Sequence, residues 1–326
     1  MTEINPNNQI PPTPAELMWE RKTIENLLQM GIKEQRRSRR WRIFFRLILL
    51  ILIAGFIYLL FSSDKAPLAE KAKAHTALID ISGAIMPGAD AGADEIVKGL
   101  REAFKDKKAV GLILRINSPG GTPVQASYVY DEIKRLKTGR PDMKVYTVCV
   151  DICASAAYYI ASSSDYIYAN PSSLIGSIGV VLNSFGFVES MNKLGIERRM
   201  ITSGNEKGFL DPFSPLKQED VKYAKDMLET VHKQFIDNVK AGRGARLKET
   251  PEMFSGLIWT GSQALPLGLI DGFGSAGFVA REVIKNESIV DYTAKPGYLI
   301  QVFRNVGTTF SQQMGSYLGL GQASLR

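Results

Sequence analysis

An uncharged apolar run near the N-terminus constrains this chain more than any other feature. The run Leu47–Phe61 contains no charged residue, and its apolar character extends back to Trp41. About 20 residues cross the hydrocarbon core of a bilayer as a helix, because that core is about 30 Å thick and each helical residue adds about 1.5 Å. We therefore predict one transmembrane helix at residues 41–62, with the long side chain of Arg46 reaching the interface.

A cleaved signal peptide and a buried core helix are the competing interpretations of this run. A signal peptide begins near the N-terminus and ends at a small-residue cleavage site, whereas about forty mostly polar residues precede the run. A core helix would lie among other folded elements, whereas this run lies between a basic segment and a polar linker. An uncleaved membrane anchor fits both observations better.

The basic residues of the chain are concentrated just before the run. Residues 33–46 contain seven lysines and arginines and one glutamate, which account for six of the seven net positive charges. The remaining chain is nearly neutral, so nucleic-acid binding is not predicted. Because basic residues favour the cytoplasmic side of a membrane, we expect a cytoplasmic N-terminus, with everything after about residue 63 on the other side.

From His75 onward the pattern alternates between strands and helices. The runs TALIDISG, VGLILRIN and KVYTVCV are typical of strands buried on both faces, and helical stretches separate them. This β-α-β-α-β order predicts a parallel sheet with right-handed crossovers and with its chemistry at the carboxyl ends of the strands. Further along we expect a helix around FVESMNKLG, a strand around ERRMITSG, a long helix over residues 217–244 and a strand around VDYTAKP.

Ser155 follows the third of these strands, in VCVDICASAAYYIASSS. A serine nucleophile needs a nearby base and hydrogen-bond donors for the oxyanion. The two histidines are His75, which is at the exit of the linker and expected to be mobile, and His232, in the long helix, and neither is well placed. A Ser-His-Asp triad is therefore disfavoured. Cys149 and Cys153 are expected to be small core residues, because two cysteines alone make a poor metal site.

Lysine is the other established base for a serine. A catalytic lysine must be desolvated to be neutral near pH 7, and Lys207 is followed by the apolar residues Phe209, Leu210 and Phe213. From composition alone Lys207 is more often a solvated loop lysine.

The glycine pair in LRINSPGGTP can present N–H groups to an anion, which suits an oxyanion hole or a phosphate, and a plain turn is the third interpretation. The segment matches no nucleotide-binding pattern, so no nucleotide is predicted.

Five motifs, INSPGG, CASAAYYIAS, NPSSLIGSIGV, SGNEKGFLDPF and WTGSQALPLGLIDGFG, follow in this order over about residues 76–285. Together they resemble the S49 serine peptidases, in the short single-unit form of signal peptide peptidase A. The first two also resemble the proteolytic subunit of the Clp protease, which uses a histidine and lacks the anchor and the lysine segment. The resemblance implies an α/β fold, a crotonase/Clp-protease-like β-α-β superhelix with one N-terminal transmembrane helix, and no cofactor or metal.

The resemblance also implies roles for five residues. Ser155 matches the nucleophile and Lys207 the general base, which short forms often take from a neighbouring subunit. Ser177 matches a serine that hydrogen-bonds the lysine and orients it. The backbone N–H groups of Gly121 and Ala156 match the oxyanion hole.

The chain departs from the family pattern directly after the nucleophile, where Ala156 and Ala157 stand in place of two glycines. Because the oxyanion donor is a backbone group, alanine serves there unless the position requires a positive φ. We expect activity to survive and the space beside Ser155 to be narrower.

The sequence thus predicts a membrane-anchored Ser-Lys endopeptidase that degrades apolar peptides, such as signal peptides left in the membrane after secretion. The resemblance implies a bacterial inner-membrane protein with a periplasmic catalytic domain, assembled as a homo-oligomeric ring or dome with eight subunits as one candidate number. A non-catalytic membrane scaffold and a crotonase-type acyl-CoA enzyme remain the alternatives.

The predicted domain organisation has five parts. They are a cytoplasmic segment at 1–40, the span at 41–62, a linker at 63–75, the peptidase domain at 76–295 and a tail at 296–326.

Overall fold

The computed structural model describes residues 14–62 and 73–294, which belong to two compact units. The first unit contains one continuous helix, α1 (Pro14–Ser62), of 49 residues. Its segment Gln29–Tyr58 contains an 18-residue window with a mean hydropathy of 2.0, and by length and composition alone the helix could cross a membrane. The predicted tail at 296–326 and most of the predicted linker lie outside the described residues, and the predicted domain boundaries stay predictions.

The second unit has an α/β fold, as the sequence predicts. Strands β1 (His75–Ser82), β2 (Ala109–Ser118) and β3 (Lys144–Ala154) alternate with helices α2 (Ala93–Lys105) and α3 (Pro123–Gly139). The elements that follow β3 are α4 (Ala156–Ala161), β4 (Tyr166–Ala169), β5 (Leu174–Gly176), α5 (Val188–Lys193), α6 (Gln218–Arg243), β6 (Ile258–Thr260), α7 (Gly261–Ala264), β7 (Gly272–Phe273), α8 (Ala276–Phe278), a π-helix (Val279–Ile284) and β8 (Ile289–Asp291).

The described strands form one mixed sheet in the order β6-β5-β3-β2-β1-β8, and β4 pairs with β3 and with β7. All pairs are parallel except β5 with β6. The Val/Ile-rich strands are almost entirely buried, because helices cover them, and α2 turns Ile96, Leu100 and Phe104 into the core. The predicted parallel arrangement of β1, β2 and β3 is confirmed.

Strand β3 changes its partner partway along its length. Its first half, Tyr146–Cys149, pairs with β4, and its second half, Ile152–Ala154, pairs with β5. The β2–β3 register is interrupted over the same interval. This irregularity bends the strand just before the predicted nucleophile.

A buried ion pair fixes the end of the long helix α6 to the sheet. Arg243 is 1% exposed and donates hydrogen bonds of 2.8 and 2.9 Å to the Asp271 carboxylate. The Asp271 carboxylate also accepts the N–H of Ile167, on β4. A buried charge is tolerated only when it is paired and hydrogen-bonded, and here both conditions hold.

Two predictions about local structure are wrong and one is confirmed. Residues 196–202 form no strand, since the stretch around ERRMITSG meets no neighbouring strand in the described chain. His75 is not mobile: it opens β1, is fully buried and hydrogen-bonds the Tyr292 hydroxyl at 2.9 Å. Cys149 and Cys153 are both free and buried in the core, as predicted.

Residues 181–219 differ from the rest of this unit and are called the exposed segment below. None of their side chains is buried. The large apolar side chains exposed there are Val181, Leu182, Phe185, Phe187, Leu194, Ile196, Met200, Ile201, Phe213 and Leu216. A concentration of exposed apolar side chains in one segment is typical of surfaces that contact another molecule.

Candidate active site

Ser155 lies at the turn between β3 and α4 in an unusual backbone conformation. Its φ is 54° and its ψ is −125°, and its N–H donates to the Gly176 carbonyl at 2.8 Å. A positive φ at a residue with a Cβ costs about 1–3 kcal/mol, so the surrounding structure must hold it. The following helix, α4, does so because all six of its residues are buried. The strain is at Ser155, whereas Ala156 has an ordinary helical conformation.

The glycine loop after β2 lies directly against Ser155. Gly120 has a φ of +111°, and a Cβ on it would lie 2.7 Å from the Ser155 Cβ and 2.8 Å from the Ala154 carbonyl oxygen. The Gly120 N–H donates to the hydroxyl of Ser118, which is fully buried, at 3.1 Å. Only glycine fits this position without displacement, so the loop and the serine are held in contact.

Gly121 is held from the other side by Ile85. A Cβ on Gly121 would lie 2.0 Å from the Ile85 carbonyl oxygen. The Ile85 N–H donates to the Gly120 carbonyl, and the Thr122 N–H donates to the Ile85 carbonyl, both at 2.9 Å. Within the described part of the chain, the Gly121 N–H has no hydrogen-bond partner.

The N–H of Ala156 also has no partner among the described residues, as expected for the first residue of a helix. Gly121, Ala156 and Ser155 all line one cavity. The structure thus brings together a serine and two available backbone donors, the combination that acyl transfer requires.

This cavity has a volume of about 470 Å³. Its lining residues are Gly121, Pro123, Val124, Ser127, Tyr128, Ser155, Ala156, Tyr159, Gly179, Val180, Val231, Gln234 and Phe235. None of them is charged and none is a histidine. The rings of Tyr159 and Phe235 pack against each other with centroids 4.9 Å apart. The walls therefore suit an apolar or small uncharged side chain.

The sequence interpretation missed the walls that α3 and α6 contribute. Val124 and Tyr128 on α3, and Val231 and Phe235 on α6, are each four residues apart and so share a helix face. This spacing is visible in the sequence, but it is the same spacing that buries a helix in a core.

Ser177 lies one strand away from Ser155. Ala154 pairs with Gly176, so both serines stand one residue beyond a paired position, on neighbouring parallel strands. Ser177 also has a positive φ, 51°, and its N–H donates to the Leu257 carbonyl at 2.8 Å. The register of β3 and β5 places Ser177 beside Ser155, but Ser177 is not one of the residues that line the cavity.

Lys207 is not brought to this cavity by its own chain. It is exposed in a turn of the exposed segment, and its N–H donates to the Gly204 carbonyl at 3.2 Å. It is not one of the cavity's lining residues. The structure therefore places four of the five predicted site residues at one edge of the sheet and the lysine elsewhere.

Other titratable groups near Ser155 make poor substitutes for this lysine. His232 does not line the cavity that contains Ser155, and its Nε2 atom, 3.0 Å from the Ile178 carbonyl, carries the hydrogen and so cannot accept the serine proton. Cys153 is fully buried, and burial raises the pKa of its thiol, so it is not a nucleophile. The described residues contain no group of three or more potential metal ligands.

Comparison with family models gives two matches. The model of peptidase family S49 matches residues 137–289, and that of the Clp protease matches residues 75–175. The α/β fold described above is therefore of the Clp-protease type, in agreement with the predicted fold class.

Three curated relatives illustrate the similarity. "Putative protease slr0021" of Synechocystis is 32% identical over 209 residues, 64% of this chain and 73% of that protein. "Putative signal peptide peptidase SppA" of Enterococcus faecium is 28% identical over 194 residues, 60% of this chain and 56% of that protein. "Na(+)/H(+) antiporter NhaA" of Brucella melitensis is 48% identical over 175 residues, 54% of this chain.

The match to the Brucella protein spans only 24% of that protein's length. Its name describes the whole of a much longer chain and assigns no transport activity to the matched segment.

Proposed function

The chain belongs to peptidase family S49, and on this basis we propose that it is a membrane-anchored serine endopeptidase that cleaves apolar peptides. One observation carries the proposal: Ser155, strained at the end of β3, shares an uncharged cavity with the N–H groups of Gly121 and Ala156, which have no hydrogen-bond partner among the described residues. Strained nucleophiles beside preorganised donors are typical of acyl-transfer sites.

In the proposed reaction, neutral Lys207 accepts the proton of the Ser155 hydroxyl as Oγ attacks the peptide carbonyl carbon. The N–H groups of Gly121 and Ala156 bind the oxyanion of the tetrahedral intermediate. The intermediate collapses, the peptide C–N bond breaks, and the leaving amine takes the proton from Lys207. Water then loses a proton to Lys207 as its oxygen attacks the acyl carbon. The ester bond between that carbon and Oγ breaks, Oγ takes the proton from Lys207, and the carboxyl product leaves, which restores both Ser155 and neutral Lys207.

We propose that Lys207 reaches Ser155 from a neighbouring copy of the chain. In support, Lys207 is exposed and absent from its own chain's cavity, and it lies in the exposed segment, none of whose side chains is buried. A second copy would cover the apolar side chains and deliver the lysine in one contact. Ser177, adjacent to Ser155 across the β3–β5 pair, is the residue that would then orient the lysine.

The substrates we propose are apolar peptides, among them signal peptides left in a membrane. The uncharged cavity supports this, and so does the name of the Enterococcus relative. Helix α1 would hold the protein in the bacterial inner membrane, with residues 1–40 cytoplasmic and the catalytic unit periplasmic. Such tethering raises the local concentration of membrane-bound peptides.

The test is hydrolysis of a synthetic signal peptide by the full chain in detergent, together with labelling by a serine-directed fluorophosphonate. Ser155→Ala and Lys207→Ala should each lower the cleavage rate by at least about 10³-fold. Two exposed residues outside the exposed segment give matched controls, Ser172→Ala and Lys107→Ala, and both should cleave like the unmodified protein.

Mixing the two inactive variants tests the shared site. Mixed oligomers contain some sites with an intact Ser155 from one chain and an intact Lys207 from the other, so activity should return. If mixtures never recover activity, the lysine acts within its own chain. If the unmodified protein neither cleaves nor labels, the non-catalytic scaffold replaces the peptidase.

A further inference from the structure

The pairing of β2 with β3 is interrupted immediately before the candidate nucleophile. Ile116 pairs with Cys149 and Ser118 pairs with Cys153, so two steps along β2 correspond to four along β3. Such a bulge leaves backbone groups without ladder partners and changes the direction of the strand. The position of Ser155 therefore depends on whatever holds the bulge in shape.

Two side chains replace the missing ladder bonds. The hydroxyl of Ser173, which is 2% exposed, donates to the Val150 carbonyl. The side-chain oxygen of Asn117 accepts the Ile152 N–H at 3.2 Å, and its Nδ2 donates to the Asp151 carboxylate at 2.9 Å. Asn117 thus holds two successive residues of the bulge with one amide.

Asn117 also stands at the start of the glycine loop. The next residue, Ser118, accepts the Gly120 N–H at 3.1 Å, and Gly120 packs on the Ser155 Cβ. The dipeptide Asn117–Ser118 therefore connects the strand that carries the serine with the loop that carries the Gly121 N–H. A shift at Asn117 would change the distance between these two parts of the site.

We propose that Asn117 is a positioning residue for the peptidase reaction. By holding the bulge, it fixes Ser155 Oγ relative to the Gly121 and Ala156 N–H groups. It does not line the cavity, so it contacts no substrate side chain there. This inference rests on the proposed function, because it takes Ser155 as the nucleophile.

Asn117→Ala should lower kcat about 10²-fold and change KM less than about threefold, since a displacement of about 1 Å at a reacting atom has effects of this size. Asn286→Ala is the matched control. Asn286 Oδ1 accepts the Ser288 N–H, also at 3.2 Å, beside β8 rather than beside Ser155. A merely structural loss would affect both variants alike.

Exchanging the side chains of Asn117 and Asp151 gives a test whose expected result, a recovery of activity, cannot be explained by loss of folding. Asn117→Asp places two carboxylates against each other and should be as impaired as Asn117→Ala. Combining it with Asp151→Asn restores an amide–carboxylate pair in the reverse direction, while the new carboxylate still accepts the Ile152 N–H. The double variant should recover kcat to within about tenfold of the unmodified protein.

Hydrogen–deuterium exchange of a peptide spanning residues 150–154 gives a readout that needs no catalysis. Exchange there should be faster in Asn117→Ala than in Asn286→Ala. A kcat for Asn117→Ala equal to that of the control, or a double variant no better than Asn117→Asp, overturns the positioning role. If the unmodified protein does not label at Ser155, the proposed function fails instead, and the two failures are thereby distinguished.

Discussion

The loop beside Ser155 and the exposed segment each contain a glycine with nearly the same φ, but the surroundings of the two glycines are opposite. Gly120 has a φ of +111° and Gly204 a φ of +104°. A Cβ on Gly120 would meet three atoms within 3.1 Å, whereas among the described residues one on Gly204 would have only the Lys207 Cγ within 4 Å, at 3.4 Å. Ser155, one half of the proposed dyad, is therefore fixed by packing within the chain, whereas no contact among residues 14–62 and 73–294 buries Lys207, the other half.

The largest effect on the free energy of unfolding should come from breaking the buried ion pair between Arg243 and Asp271. Asp271→Asn leaves the guanidinium of Arg243 buried without its carboxylate and should destabilise folding by about 3–5 kcal/mol. Denaturant unfolding measures this. Glu282→Gln, which breaks an exposed pair with Arg281, is the control and should cost less than about 1 kcal/mol.

The same ion pair should make the free energy of unfolding depend on pH. Burial alone would raise the pKa of Asp271, but the hydrogen bonds and charge of Arg243 outweigh it and lower the pKa below its ordinary value. The stabilisation is therefore complete above the ordinary value of about 3.9 and is lost as the pH falls through the lowered folded value. Asp271→Asn should not show this loss.

The two glycines give the next largest effect. Gly120→Ala should cost about 2–4 kcal/mol, because it adds both backbone strain and a collision with Ser155, and it should abolish fluorophosphonate labelling. Gly204→Ala adds the strain without the collision and should cost about 1–2 kcal/mol. Equal costs would show that the two regions are packed alike.

A smaller effect, of opposite sign, should follow from relieving the strain at Ser155. Ser155→Gly should stabilise the fold by about 1 kcal/mol while abolishing cleavage, because glycine adopts this backbone without penalty. Ser155→Ala keeps a Cβ and should gain nothing from strain relief. Thermal unfolding of the two variants tests this prediction. Equal melting temperatures for Ser155→Gly and Ser155→Ala would mean that the backbone at Ser155 is not strained.

The smallest effect on folding should come from the exposed segment. Ile201 is 99% exposed, so Ile201→Ser should change the free energy of unfolding by less than about 0.5 kcal/mol. It should nevertheless lower both the oligomer mass by light scattering and the cleavage rate. Normal assembly and activity in this variant would remove Ile201 from the proposed interface.

The sequence predicted the parts of the fold that local pattern decides. Strands β1, β2 and β3 come from short runs rich in Val and Ile, and Ser155 and Gly121 could be placed at strand ends because each follows such a run. The β3 bulge could not be predicted, since it depends on the change of partner from β4 to β5. Phe235 was not assigned to the cavity, because it lies eighty residues from Ser155 in the chain.

The strand predicted around ERRMITSG shows the limit of pattern alone. Its composition favours extended structure, but a strand exists only where a neighbour supplies hydrogen bonds, and within the described residues this stretch has none. The sequence shows that apolar residues follow Lys207, and the structure places them in the exposed segment. The sequence could not show whether these residues bury the lysine.

The pairing of β1 with β8 has a consequence for how the chain is made. Thr76 pairs with Ile289, more than 200 residues later, and the Tyr292 N–H donates to the Leu78 carbonyl at 2.8 Å. A ribosome adds about 5–20 residues per second, so β1 waits roughly 10–40 s with one edge open. An open edge recruits foreign strands. Synthesis that stalls before residue 289 should therefore release chains that aggregate through β1. The nascent chain would benefit from a chaperone during the interval between the synthesis of β1 and that of β8.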